Sequence, residues 1–474
     1  MSNFVFPKDF KWGVAGSAFQ MEGGMYEGGK CLNIREVAWL DAKKRGNFQQ
    51  GEMPQPDSNW LNPESPTKFQ DDRSPEVSCD FYHKYPEDIA LLGQLGVKMF
   101  RFSIAWSRII PTMDAEPNRE GIAYYHKMID CMVQQGIEPF FDLWHSDLPD
   151  WVLDNGGIIS DDFVSWFSRY AEVCFKEFGD RVKYWSTCNE PYLNAYAAYA
   201  NGNGAPYMKD LTLGFKAAHH MVLAHFEAVR HLRRLWPDAK IGSVHNTGRH
   251  YSLSFEEKDV LAAERRQASQ YLLAEPMIRG EYPKEVLEYA PIRKYIPDSY
   301  IQELKEKFVP MDFLGCNYYS ACFSRAGEKT AWGTEGFKVD FLPKDAYGFT
   351  AYASGLFDLL TDLSDRFPEV ELYVTENGYT QRRADVYNMD LTPYQHDEER
   401  QRYIREHLRA CQRAIRAGAN LKGYFYWSVM DCWESSMGYG YPMGLIAVNL
   451  DTLERIPRDS FYYYQKVIRN NCVD

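Results

Sequence analysis

Short apolar runs recur along the chain, each separated from the next by a longer stretch. Eight of them stand out: Phe10–Gly16, Met99–Ile104, Ile137–Trp144, Val182–Cys188, Lys240–His245, Met311–Asn317, Glu371–Thr375 and Lys422–Ser428. Their near-continuous apolar, β-branched or aromatic character fits parallel strands buried on both faces. The intervening stretches carry apolar residues at helical spacing. Pro86–Leu95 is one; Thr212–Leu235 is amphipathic and stops before Pro237; Asp397–Ala417 sets apolar positions among i,i+4 charge pairs. Eight alternations of strand and helix predict an α/β fold of the (β/α)8 barrel type. A doubly wound sheet is the alternative, but Gly13 and Gly16 do not supply a G-x-G-x-x-G after the first strand. No composition break divides the chain, so residues 1–474 read as a single barrel domain with elaborated loops. The longest irregular piece, Met25–Cys79, is rich in Pro, Asp, Asn and Gln. A barrel would place it over the mouth, anchored by Trp60 and Phe69, unless it is a surface insertion.

Charge and composition narrow the function classes. A net charge of −13 disfavours nucleic acid and anionic membrane as partners, both of which require a basic face. No apolar run approaches the roughly 18 residues needed to span a bilayer. The start of the chain lacks the basic and apolar regions of a secretory signal. The 10 Cys are scattered without a C-x-x-C pair, which argues against zinc ribbons and points to a reducing cytoplasm. His219, His220 and His225 form no H-E-x-x-H or comparable ligand set, so neither a metal nor another cofactor is expected. Aromatic residues reach 15%, which suits either a large core or a site that packs sugar rings against flat side chains.

In a barrel the chemistry sits where the strands end, and these ends are polar in almost every case. They carry Gln20 and Glu22, Arg101, His145-Ser146-Asp147, Asn189-Glu190, His245-Asn246, Asn317-Tyr318-Tyr319, Glu376-Asn377, and Trp427 followed by Asp431 and Glu434. Two carboxylates are what glycosidic cleavage requires: one donates a proton to the leaving oxygen, the other stabilises or attacks the anomeric carbon. Glu190 and Glu376, at the ends of the fourth and seventh strands, form the best pair. A gap of about 5–5.5 Å between them would give retention and a wider one inversion. Either Glu taken singly also suits a surface carboxylate or a barrel-end ion pair.

The motifs AGSAFQMEG (15–23), YHKYPEDIALLGQLGVKMFRFSIAWSRIIP (82–111), GIEPFFDLWHSDLPDW (136–151), TCNEP (187–191), DFLGCNYY (312–319), VTENG (374–378) and KGYFYWSVMDCWE (422–434) follow one another in order. Together they resemble glycoside hydrolase family 1, the β-glucosidase family, over nearly the whole length. The resemblance implies a retaining β-glycosidase on a TIM barrel, acting through a covalent glycosyl-enzyme. It implies Glu190 as general acid/base and Glu376 as nucleophile, with Arg101 and Tyr318 holding and tuning that nucleophile. Asn189 would bind the sugar 2-OH. Gln20, His145, Tyr318 and Glu434 would join it in binding the substrate, with Trp427 as the aromatic platform. An adjacent guanidinium favours an ionised nucleophile, whereas the acid must hold its proton, so the surroundings of Glu190 are expected to raise its pKa. The implied partner is a small-molecule or oligosaccharide β-glycoside. Transfer of the glycosyl group to another acceptor, and a sugar-binding protein without turnover, are the alternatives.

Departures from the family pattern bear on the substrate. The usual H-W-D reads His145-Ser146-Asp147, and the usual N-F-E-W reads Cys432-Trp433-Glu434-Ser435. Loss of both tryptophans would open the glycone pocket near O3, unless Trp433 or Trp144 refills the space. The first rim loop carries CLNIREVAW (31–39) where the family has a tryptophan–aspartate element. In the branch that acts on 6-phosphosugars a serine, a lysine and a tyrosine grip the phosphate. Here Glu434, Tyr441 and Met443 stand in their places, and a carboxylate there would repel a phosphate.

Overall fold

The computed structural model describes residues 4–45, 74–337, 339–382, 396–434 and 438–474. Eight strands close into a parallel barrel: β1 (Lys11–Ala15), β2 (Met99–Ser103), β3 (Glu138–Asp142), β4 (Tyr184–Asn189), β5 (Lys240–Asn246), β6 (Phe313–Asn317), β7 (Glu371–Asn377) and β8 (Leu421–Trp427). Neighbours pair in sequence order, and β8 returns to β1 through the register Phe425–Gly13 and Tyr426–Val14. Each strand falls within or against one of the eight apolar runs. They are apolar throughout because both faces are covered, by helices outside and by side chains inside.

The barrel interior is packed rather than hollow. Ala15, Met99, Phe140, Phe313, Tyr373 and Phe425 meet there, with Trp427 and Met443 above them. The Phe140 ring lies edge-on to Phe313 at 5.5 Å and to Phe425 at 5.6 Å. This aromatic plug forms the floor on which the polar strand ends stand.

Among the outer helices are α1 (Phe81–Leu95), α2 (Arg119–Gln134), α3 (Phe163–Phe178), α4 (Leu211–Leu235), α5 (Glu257–Gln270), α6 (Ala353–Arg366), α7 (Glu398–Arg416) and α8 (Asp459–Asn470). The expected start of α1 at Pro86 is corrected: the helix begins five residues earlier, with Pro86 inside it. α4 begins at Leu211, where Asp210 accepts from the Thr212 and Leu213 amides, a side-chain N-cap.

Within the segment Met25–Cys79, the described residues 25–45 are less irregular than the segment's composition suggests. A helix runs over Ile34–Arg45. Asn33 Oδ1 accepts from the Arg35 and Glu36 amides, while Glu36 Oε2 accepts from the Asn33 amide. That reciprocal pair is a capping box. Trp60 and Phe69, the expected anchors, lie outside the described residues.

Candidate active site

Midway along β2, Arg101 is fully buried and its side chain touches three other strands. Its Nη1 reaches Glu376 Oε1 on β7 at 2.7 Å, its Nη2 reaches Asp142 Oδ2 on β3 at 2.6 Å, and Nη2 also donates to Asn189 Oδ1 on β4 at 2.7 Å. Burial opposes its charge, but the Asp142 and Glu376 carboxylates outweigh that penalty and hold its pKa above the usual arginine value. Removing one partner of such a buried cluster leaves charge without compensation, worth about 3–5 kcal/mol. Arg101→Met is therefore expected to lower folding stability by about that amount, read as a drop in the urea midpoint, and to lose most of the activity.

The orientation of Glu376 depends on a slip in the ladder. Tyr373 points into the barrel, and strict alternation would turn a residue three positions on to the other face. The pairing of β7 with β6 shifts register between Val374 and Glu376, and this local irregularity re-aims the carboxylate inward. β4 does the same, with a register shift between Ser186 and Asn189 against β5. Next in sequence is Glu190, in the left-handed region at φ +50, a backbone state of order 1–3 kcal/mol for a residue with a side chain.

Glu190 accepts at Oε1 from Asn317 Nδ2 at 3.0 Å. Burial, and then the negative charge of Glu376, push its pKa up to about 7. The same Asn317 amide donates to Asn189 Oδ1 at 3.0 Å, and Asn317 Oδ1 accepts from Thr375 Oγ1 at 2.8 Å. Asn189 Nδ2 donates to His145 Nε2 at 3.2 Å, which directs the ring's proton on Nδ1 toward Asp142, 3.3 Å away. His145 lies nearly parallel to Trp427, ring centres 5.5 Å apart. Glu434 is pushed up to about 8 by burial, against hydrogen bonds from Trp427 and Gln20. Gln20 is itself held by Ser17 at 2.6 Å.

Gln20, His145, Ser146, Asn189, Glu190, Glu376, Trp427 and Glu434 all line one cavity of about 550 Å³. Tyr318 does not, and the expectation for it is corrected. Its hydroxyl donates to the Tyr352 carbonyl at 2.6 Å, away from the cavity. Tyr319 instead donates to Glu376 Oε2 at 2.7 Å. The reason is the pleat: Asn317 faces inward, so the next inward side chain is two residues on. Tyr319→Phe removes a hydrogen bond to a carboxylate, about 1.5–3 kcal/mol, and is expected to cost roughly 10–100-fold in kcat/KM. Tyr318→Phe is expected to leave kcat/KM within about two-fold and to lower stability by about 1–2 kcal/mol. Steady-state kinetics on the two variants separates them.

Trp144 and Trp433 are both buried in the core and are not among the cavity-lining residues, whereas Ser146 lines it. Ser435 lies outside the described residues. Asn317 and Tyr319, named from sequence only as polar strand-end residues, also converge here, as do Asp142 and Arg35, which were not singled out. Period-2 spacing from Asn317 was the available signal for Tyr319; nothing local marked Arg35. Among the described residues no group of three or more His, Cys, Asp or Glu is placed to hold a metal ion.

A buried acid with a raised pKa, set across a sugar-sized cavity from a carboxylate gripped by a guanidinium and a phenol, defines a barrel glycoside hydrolase. The chain belongs to glycosyl hydrolase family 1, whose model matches residues 2–473. It is thus a retaining β-glycosidase, cleaving β-linked glycosides through a covalent glycosyl-enzyme intermediate. The chain is 35% identical over 471 residues to Beta-glucosidase A of Thermotoga maritima, covering 99% of both chains. It is 34% identical over 476 residues to Beta-glucosidase A of Acetivibrio thermocellus, covering 99% of this chain and 100% of that one. Among solved structures it is similar to the family 1 β-glucosidase from Thermotoga maritima in complex with isofagomine lactam, with a TM-score of 0.89, 34% identity and full coverage of both chains.

Proposed function

We propose that Glu190 is the acid/base and Glu376 the nucleophile in hydrolysis of an unphosphorylated β-glucoside or a near relative. The observation that carries this reading is the contrast between the two: Glu190 is raised to about 7, while Glu376 receives hydrogen bonds from Arg101 and Tyr319. Glu376 attacks the anomeric carbon as Glu190 passes its proton to the leaving oxygen. The ester then formed at Glu376 is neutral, so one of the influences raising Glu190 disappears. Its pKa falls, and it becomes the carboxylate that takes a proton from the incoming water. Asn189 meets the 2-OH. Gln20, His145 and Glu434 bind the remaining hydroxyls, with Trp427 beneath the ring.

The glycone is a glucose-like sugar substituted or extended near O3, with its extension beside Ser146. Support for this comes from Ser146 at the cavity wall and from the two neighbouring tryptophans buried elsewhere. The chain works as one barrel domain over residues 1–474, on small-molecule or oligosaccharide glycosides and without nucleic acid or membrane partners. No described helix is long and apolar enough to cross a membrane. The ten cysteines are all free thiols, which suits the cytoplasm.

A panel of aryl β-glycosides tests the reading: glucoside, galactoside, fucoside, xyloside, 6-phosphoglucoside and 3-O-extended glucosides. Turnover of unphosphorylated substrates is expected, with kcat/KM for a 3-O-extended glucoside at least equal to that for glucoside. Turnover of the 6-phosphoglucoside alone would sink the substrate assignment. Rejection of every 3-O-extended glycoside would sink the extended glycone.

A further inference from the structure

The cavity wall carries a cation with no role in the scheme above. Arg35 sits in the first turn of the rim helix Ile34–Arg45, and two sets of contacts fix its position. The capping box of Asn33 and Glu36 starts the helix there, and Lys30 Nζ, 2.7 Å from Glu36 Oε1, braces the box. The backbone around it is tied to the loop after β3: the Ile34 amide donates to the Leu148 carbonyl at 2.8 Å, and Asn33 forms a bridge with Pro149.

From that position the guanidinium reaches the turns after β3 and β4. Its Nε donates to the Ser146 carbonyl at 3.1 Å, and its Nη2 donates to Asn194 Oδ1 at 2.8 Å. The other end of the Asn194 amide donates to the Glu190 carbonyl at 3.2 Å and the Asn189 carbonyl at 3.4 Å. Ser146 and Glu190 both have left-handed backbones, at φ +69 and +50. Each is thus in a conformation that its own side chain disfavours and that its surroundings must impose. Arg35 is the group common to both: it contacts one directly and the other through a single amide.

Resting on the assignment of Glu190 as acid/base, we propose that Arg35 is a positioning residue for it. Through Asn194 and the Ser146 carbonyl, it holds the left-handed turns after β3 and β4. In doing so it sets where the Glu190 carboxyl meets the leaving oxygen. Proton donation depends on distances of a few tenths of an ångström, so slack in the Glu190 backbone weakens acid assistance without touching the nucleophile. Arg35 also acts through its charge. Glu190 faces Glu376 from β7, Arg101 from β2 and Arg35 from the rim helix, with Asn317 bonded to it and Tyr319 and Glu434 nearby. Both guanidiniums lower its pKa, against burial and Glu376, which raise it.

The test compares Arg35→Met, Arg35→Lys and Asn194→Ala on two β-glucosides. The phenyl glucoside needs a proton on its leaving oxygen; the 2,4-dinitrophenyl glucoside does not. Arg35→Met is expected to lower kcat/KM on the phenyl glucoside by roughly ten-fold and on the dinitrophenyl glucoside by less than about two-fold. It should also move the alkaline limb of the pH profile up by about half a unit, since a cation near Glu190 is gone. Arg35→Lys and Asn194→Ala keep the cation, so each is expected to show the leaving-group-selective loss with the limb unmoved. Equal losses on both substrates, or none, would overturn the positioning role while leaving the acid/base assignment intact. Equal losses on the two substrates in Glu190→Ala would overturn both, since a proton donor matters only where the leaving oxygen needs a proton.

Discussion

Glu376→Ala is expected to lower kcat by roughly four to six orders of magnitude, the range seen when a covalent nucleophile is deleted from an assembled site. The fold should survive. Arg101 keeps its ion pair with Asp142 and its bond to Asn189, both of which lie on other strands. Truncation leaves a gap beside a guanidinium and the Tyr319 hydroxyl, and a small anion suits that gap. Added azide is then expected to restore part of the turnover of a dinitrophenyl glucoside. Because it attacks from the face that Glu376 occupied, the product is the α-glycosyl azide, inverted relative to the substrate. Nuclear magnetic resonance of the product decides the matter. An unchanged rate, or a β-azide from this variant, would remove Glu376 from the nucleophile's role.

Removal of the acid/base has a different signature. Glu190→Ala is expected to cost about 10²–10⁴-fold in kcat/KM on substrates with poor leaving groups and far less on the dinitrophenyl glucoside. Azide in this variant takes the place of the base-activated water on the glycosyl-enzyme, so the β-azide, with retention, is the expected product. The pH profile carries the sign of the pKa shift. Burial and Glu376 raise Glu190 from 4.5 to about 7, and the protonated form is the active one in the first step. Wild-type kcat/KM should therefore fall as pH rises through about 7. That alkaline limb should vanish in Glu190→Gln, whose amide does not titrate. A limb that persists unchanged in Glu190→Gln would assign it to another group.

Much of this was legible along the chain. Burial on both faces writes a parallel strand as a continuous apolar run, so all eight barrel strands were found within a few residues of their ends. The proposed catalytic pair rests on position at strand ends together with the motif resemblance. What escaped depended on local geometry. Tyr318 came from the motif resemblance, whereas the pleat, counted in twos from Asn317, turns Tyr319 and not Tyr318 toward Glu376. The helix over Ile34–Arg45 was hidden by a polar, proline-rich context, although Asn33 and Glu36 already spelled its capping box. Helical spacing was legible only from Pro86 on, whereas the helix begins five residues earlier at Phe81.

The order and burial of the strands, and with them the barrel, are properties of the sequence pattern, because hydrophobic periodicity is a local record of which faces meet water. The placing of two carboxylates at strand ends belongs to the local pattern of the chain too. Their inequality does not. Glu190 and Glu376 are the same residue type, and only the fold separates them. It buries one near a like charge and turns the other, through a slipped register, onto Arg101 and Tyr319. Arg35 shows the same division: its helix start is written locally in four residues, but its meeting with Ser146 and Asn194 joins segments that are over a hundred residues apart in the chain. Such contacts are made only when the barrel closes, because a charge's effect on its neighbours depends on distance through space and not along the chain.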